Sequence, residues 1–219
     1  QGPDGAIYLT DWYDKQACHL PEPGVWDRTN GRVYRVSYGD PKTVRVDLPS
    51  MSDEELVGLQ AHENDWWARR ARIVLQERGS NPRVHAALAK GLAEAQDAAR
   101  ALRCLWALHV TGGLTEDLAL AQLGSRFEHV QAWAVQLLLE RRSPSPRVVA
   151  ALEKLAAESP SPVVRLYLAS GLQRMPVAER WGVAGALLAH GEDASDTNLP
   201  LLEWYGVEPL VAADSERAA

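Results

Sequence analysis

Cysteine is nearly absent: the 219-residue chain holds two, Cys18 and Cys104, far apart in sequence. Neither CxxC nor CxxCH occurs, so no zinc ribbon or haem-attachment site is encoded, and a disulfide framework is not expected. Long apolar runs are missing as well. No stretch of 18 hydrophobic residues exists, so no helix of this sequence is expected to span a bilayer. Basic charge is in deficit, with 23 Lys and Arg against 29 Asp and Glu and a net charge of −6. Broad nucleic-acid binding needs a positive surface that displaces counterions, so this balance argues against it. The chain opens on Gln1, with no basic segment followed by an apolar one near it. No export signal is read there, and a processed or excised piece is expected. What is present is ordinary for a globular protein: 46% hydrophobic and 24% charged residues, with enough chain for one or two domains.

Residues 1–50 carry most of the strand signals. "GPDGAIYLTDW" is a turn followed by an alternating run, with Ile7 and Leu9 on one face and Ala6 and Tyr8 on the other. "TNGRVYRVSYGDP" opens on an Asn-Gly turn, alternates through Val33–Val36 and closes on another turn. "KTVRVDLP" is a third, shorter extended candidate. Two strands joined by a twenty-residue loop are not stable alone in water and must lean on something else.

Residues 51–190 read as helical. Ser52 with Glu55 is a capping box, and Asn64 precedes "DWWARRARIVLQER", which stops at Gly79. Asn81-Pro82 starts the next helix, Gly112-Gly113 stops the one after, and Thr115 caps another. Two "SPSP" turns, at 143–146 and 159–162, separate later helices. The stretches "WWARRARIVL", "ALRCLWALHV", "VQAWAVQLLL" and "VRLYLASGL" recur about every 28–35 residues, each paired with a shorter amphipathic helix. Such pairs bury their apolar faces only against their neighbours, as stacked repeats require. "VVRLYLASGL" is similar to the second half of a HEAT repeat. The expected fold is therefore mainly α: a HEAT-like α-solenoid of about four helix pairs, preceded by a small β segment. Residues 191–219 form a short helical tail, expected as two brief pieces split by Gly206.

Candidate chemistry is sparse in the helices. Arg69, Arg70 and Arg72 beside Trp66 and Trp67 could form an anion or nucleic-acid patch with stacking aromatics. Acids surround them, and pairing with those acids, with the tryptophans filling gaps, is the expectation. His62, His85, His109, His129 and His190 stand singly, without ligand spacing. Cys104 reads as a small buried apolar residue. The loop 11–31 is different, since Asp11, Asp14, His19, Asp27 and Arg28 lie within eighteen residues, between strands. A carboxylate pair near a histidine can orient a general base or hold a hard cation. The competing reading has Asp11 and Asp27 capping turns, Arg28 pairing with one of them, and Trp12 and Trp26 plugging a sheet edge.

The order "GPDGAIYLTDWYD…CH…WDRTNGRVYRV" resembles the closing segment of a β-propeller of the glucose/sorbosone dehydrogenase type. With "HENDWWARRARIVLQERG", "ALRCLWALHVTGGL" and "NLPLLEWYGVEPLV", the chain resembles PVC-type membrane-bound dehydrogenases across nearly its whole length. In that family a propeller precedes a HEAT-like region and a c-type haem domain. The resemblance implies an exported, periplasmic or membrane-associated parent that oxidises a sugar or polyol. Related soluble dehydrogenases use pyrroloquinoline quinone and calcium. It further implies His19 as a candidate base, Asp11 and Asp14 orienting it or holding a cation, and Trp12, Trp26, Asp27 and Arg28 shaping the loop. Most propeller blades and the haem motif lie outside this sequence. The fragment alone is therefore expected to hold no cofactor and to be inactive. Its helical part is expected to act as a scaffold toward the propeller and haem domain, or as a surface for a protein partner. The alternative from another class is a free-standing HEAT interaction module whose β segment caps the first repeat.

Overall fold

The computed structural model describes residues 1–11, 31–39 and 44–218. It is mainly helical with one small antiparallel sheet, and it divides into two compact units, Gln1–Glu77 and Arg78–Ala219.

The first unit opens on a tight turn in which the Gly2 N–H donates to the Ala6 carbonyl at 2.8 Å. Gly5 takes φ 81°, a left-handed conformation that costs glycine little. Strands β1 (Ile7–Thr10) and β2 (Val33–Val36) then pair antiparallel, with Ile7 opposite Val36 and Leu9 opposite Tyr34. The two alternating runs are thus strands, with the faces the sequence assigned. Of the third candidate, Val44–Asp47 are not a strand, and Leu48 and Pro49 enter a 3₁₀ turn, Leu48–Ser50. A ladder needs a neighbour, and β1 and β2 are the only strands among the described residues.

Helix α1 (Asp53–Gly58) starts at the expected capping box: the Ser52 N–H donates to Glu55 Oε2 at 2.7 Å, and the Glu55 N–H returns to Ser52 Oγ at 3.2 Å. Helix α2 (Asp65–Arg78) begins where the Trp66 N–H donates to Asn64 Oδ1. The amide of Asn64 also donates to the Gly2 carbonyl, and the Trp67 indole N–H to that of Pro3, so the hairpin's base is tied to α2. Ala6, Leu48, Leu56, Ala68, Ala71 and Leu75 form the buried centre of this unit.

The second unit holds α3 (Pro82–Glu94), α4 (Ala98–Val110), α5 (Glu116–Gln122), α6 (Glu128–Leu138), α7 (Pro146–Glu158), α8 (Pro162–Leu172), α9 (Trp181–Leu188), α10 (Leu199–Ala213) and α11 (Ser215–Ala218). Helices α4, α6, α8 and α10 pack one on the next, while α3 packs on α4, α5 on α6, and α7 on α9. Trp106, Trp133 and Tyr167 mark the same line on three successive helices, with ring centroids 5.0 and 6.4 Å apart. The two Ser-Pro turns use one device. Ser145 and Ser161 cap α7 and α8 by accepting N–H bonds from Val148 and Val164, with proline in the first turn. Each hydroxyl then donates to the first acid of the helix two places earlier, Ser145 to Glu116 and Ser161 to Glu128.

The tail differs from expectation. Gly206 does not split it, because α10 runs unbroken from Leu199 to Ala213 with Pro209 inside it. Proline there removes one donor, to the carbonyl of Tyr205 on the exposed side of the helix. Gly206 serves packing: a Cβ at this position would lie 2.5 Å from Leu172 Cδ1 and 2.7 Å from Leu172 Cβ. Gly171 on α8 receives Leu139 in the same way, with Cδ1 at 2.7 Å from such a Cβ.

Candidate functional site

Of the residues assigned to the opening loop, only Asp11 lies among the described residues. Asp14, His19, Trp12, Trp26, Asp27 and Arg28 lie outside them, as does Cys18. Asp11 directly follows β1; its N–H donates to the Arg32 carbonyl at 2.8 Å, and its carboxylate stands 3.6 Å from Arg32 Nη1. It therefore continues the pairing one step beyond Thr10 and Val33, at the loop end of the hairpin. On one face of the ribbon, Asp4 accepts from Arg35 Nε at 2.8 Å and from the Tyr8 hydroxyl at 3.3 Å. The other face is apolar and uncovered: Ile7, Leu9, Tyr34 and Val36 are 54, 51, 47 and 53% exposed.

The helical side chains singled out in the sequence are mostly engaged in structure. The Asn64 N–H donates to His62 Nδ1, and His85 Nε2 donates to the Thr111 carbonyl at 3.0 Å. Arg69 stands 3.8 Å from Asp65, one helical turn away. Cys104 is buried, and that burial pushes its thiol up, away from the thiolate a nucleophile needs. A cavity of about 440 Å³ opens between the ends of α4 and α6 and the start of α7, lined by His109, Glu116, Glu140, Arg141 and Ser145 among others. There His109 Nε2 meets Glu140 at 3.1 Å, while the Ser145 hydroxyl is engaged as a cap to Glu116 and Val148. No nucleophile is held against that histidine. Among the described residues no group of three or more His, Cys, Asp and Glu side chains is placed to hold a metal ion, and no helix is long and apolar enough to cross a membrane.

The densest polar constellation was not singled out from sequence. Arg165 on α8 is buried and grips Asp193 with both Nε and Nη2 at 2.5 Å, while Nη1 donates to the Ser159 carbonyl at 2.8 Å. Asp193 lies in a short 3₁₀ turn, Gly191–Ser195, between α9 and α10. Beside it His190 Nδ1 meets Glu192 at 2.7 Å and Nε2 meets the Ala156 carbonyl at 2.8 Å. Both partners are acceptors, so both ring nitrogens must donate and the imidazolium is favoured. The Glu192 carboxylate holds the His190 pKa above its ordinary value. Glu203 sits on the buried line of α10, between Leu199 and Gly206. Burial, reinforced by the nearby Asp193 charge, raises its pKa above the ordinary glutamate range. The signal was present in the sequence: Arg165 and Glu203 are charges at core positions of otherwise apolar helical stripes.

No known protein family, curated protein or solved structure matched this chain when each was compared with it.

Proposed function

We propose that the chain is a non-catalytic piece of an exported sugar or polyol dehydrogenase-like protein. In this reading β1 and β2 belong to a larger propeller sheet, and the helical unit is a HEAT-like solenoid serving as scaffold or docking domain. The carrying observation is the hairpin face of Ile7, Leu9, Tyr34 and Val36, four apolar side chains in register that nothing among the described residues covers. A face of this kind suits a strand pair inside a larger β structure. The serial packing of α4, α6, α8 and α10 suits stacked repeats. Quinone, calcium and haem chemistry would then reside in the whole protein, with His19, Asp11 and Asp14 contributing at the propeller mouth. The purified chain, assayed with aldoses and polyols and added quinone and calcium, is expected to give no turnover. Measurable oxidation would overturn the reading.

A second reading is a free-standing HEAT interaction module, and α10 favours it. Leu201, Trp204, Tyr205 and Val211 recur at helical spacing on its outer side and are exposed. Hydrogen exchange of the β1–β2 amides separates the two. A ribbon that belongs to a larger sheet exchanges within minutes in the isolated chain, whereas a ribbon built to cap the first helices stays protected.

A further inference from the structure

Glu203 is 8% exposed, and its Oε1 is buried without a hydrogen-bond partner. A buried carboxylate is tolerated when donors meet it. Here the nearby cationic nitrogens are already committed. Arg165 directs Nε and Nη2 to Asp193 and Nη1 to Ser159, and His190 spends both ring N–H groups on Glu192 and Ala156. The charges also fail to balance. Arg165 and the His190 imidazolium supply two positive charges, which Glu192 and Asp193 already neutralise. An ionised Glu203 would be a third carboxylate beside two cations, with no donor meeting its Oε1. As a neutral acid it adds no charge and gains an O–H donor.

We propose that this cluster is a pH latch, in which Glu203 held as the neutral acid keeps α10 seated on the Gly191–Ser195 turn, and its ionisation as pH rises loosens that helix. The groups facing the latch come from several elements: Arg165 from α8, His190 and Glu192 from the segment after α9, and Asp193 from the 3₁₀ turn. Arg180, also buried, donates to the Gly206 carbonyl one turn further along α10, and Arg217 of α11 lies over the Trp181 ring. Neither arginine changes charge in the working range. The signs add. A raised glutamate is neutral in folded and unfolded chains below the ordinary value of 4.5 and loses stability as pH rises from there toward its folded value. A raised histidine contributes stability that is complete below 6.5 and is lost as pH rises through its folded value. Glu192 opposes them only on the acid side, since its lowered carboxyl loses its contribution as pH falls below 4.5.

The test is thermal unfolding of the full chain and of Glu203→Gln between about pH 4 and about pH 8.5. The amide keeps the shape and cannot ionise. Equal melting temperatures are expected at the lower pH, with the variant the more stable at the upper one. A constant offset between the two proteins across the range would overturn the proposal. Native-state hydrogen exchange of the wild type gives a reading that does not depend on the variant. Protection factors in Leu202–Leu210 should fall at least tenfold across the range, while those in α4 and α6 hold. Uniform behaviour of all these helices would equally overturn it.

Discussion

The hairpin and the helical unit are written in the same apolar alphabet and end in opposite states. Along β1 and β2, Ile7, Leu9 and Val36 alternate as strand residues should, yet each stays about half exposed. Along α6 and α8, Val135, Leu139, Leu168 and Leu172 recur at helical spacing and are essentially fully buried. Periodicity marks which face is apolar in both regions. It does not state what covers that face, and among the described residues only the helical unit carries its own cover, because α4, α6, α8 and α10 pack one on the next.

Five substitutions sharpen this contrast. Arg165→Leu has the largest expected effect, since it leaves Asp193 buried without its bidentate partner and the Ser159 carbonyl without its donor. Breaking one side of a buried pair costs about 3–5 kcal/mol, read as a lowered urea midpoint. Gly206→Ala comes second. The new methyl meets Leu172 Cβ, which is fixed to its own backbone, so a loss of about 1–3 kcal/mol is expected despite alanine's better helix propensity. Gly171→Ala is the paired control, because it meets only the rotatable end of Leu139, and the propensity gain of about 1 kcal/mol should nearly offset the clash. The smallest effect belongs to the hairpin. Ile7→Thr and Leu9→Thr should each change stability by no more than about 0.5 kcal/mol, as surface substitutions do. A cost near that of a core truncation would break the comparison by showing the ribbon covered.

Much of the helical architecture was legible because its punctuation is local. Ser52 with Glu55, Asn81-Pro82, Thr115 and the two Ser-Pro turns act within one turn of chain, and each caps the helix it announced. Gly206 was misread for the complementary reason. Glycine ends helices through its backbone freedom, but here its value is the space it leaves for Leu172, a residue 34 positions away. Arg165 and Glu203 show the same limit, since each is a lone charge in an apolar run until folding brings Asp193 and His190 beside them. Of the candidate site residues in the loop, Asp11 alone is described, at the loop end of the hairpin beside Arg32.

The two glycine notches also carry a geometric consequence. At Gly171, and again 35 residues on at Gly206, a leucine from an earlier helix in the stack reaches the backbone of a later one. The interval between α6 and α8, and between α8 and α10, is thereby set by one leucine side chain against a main chain and not by two side chains in contact. Main chain is the one part of a helix that substitution cannot resize. Helices stacked in this way keep their spacing while surface residues drift, so long as the leucine stays and the notch stays empty.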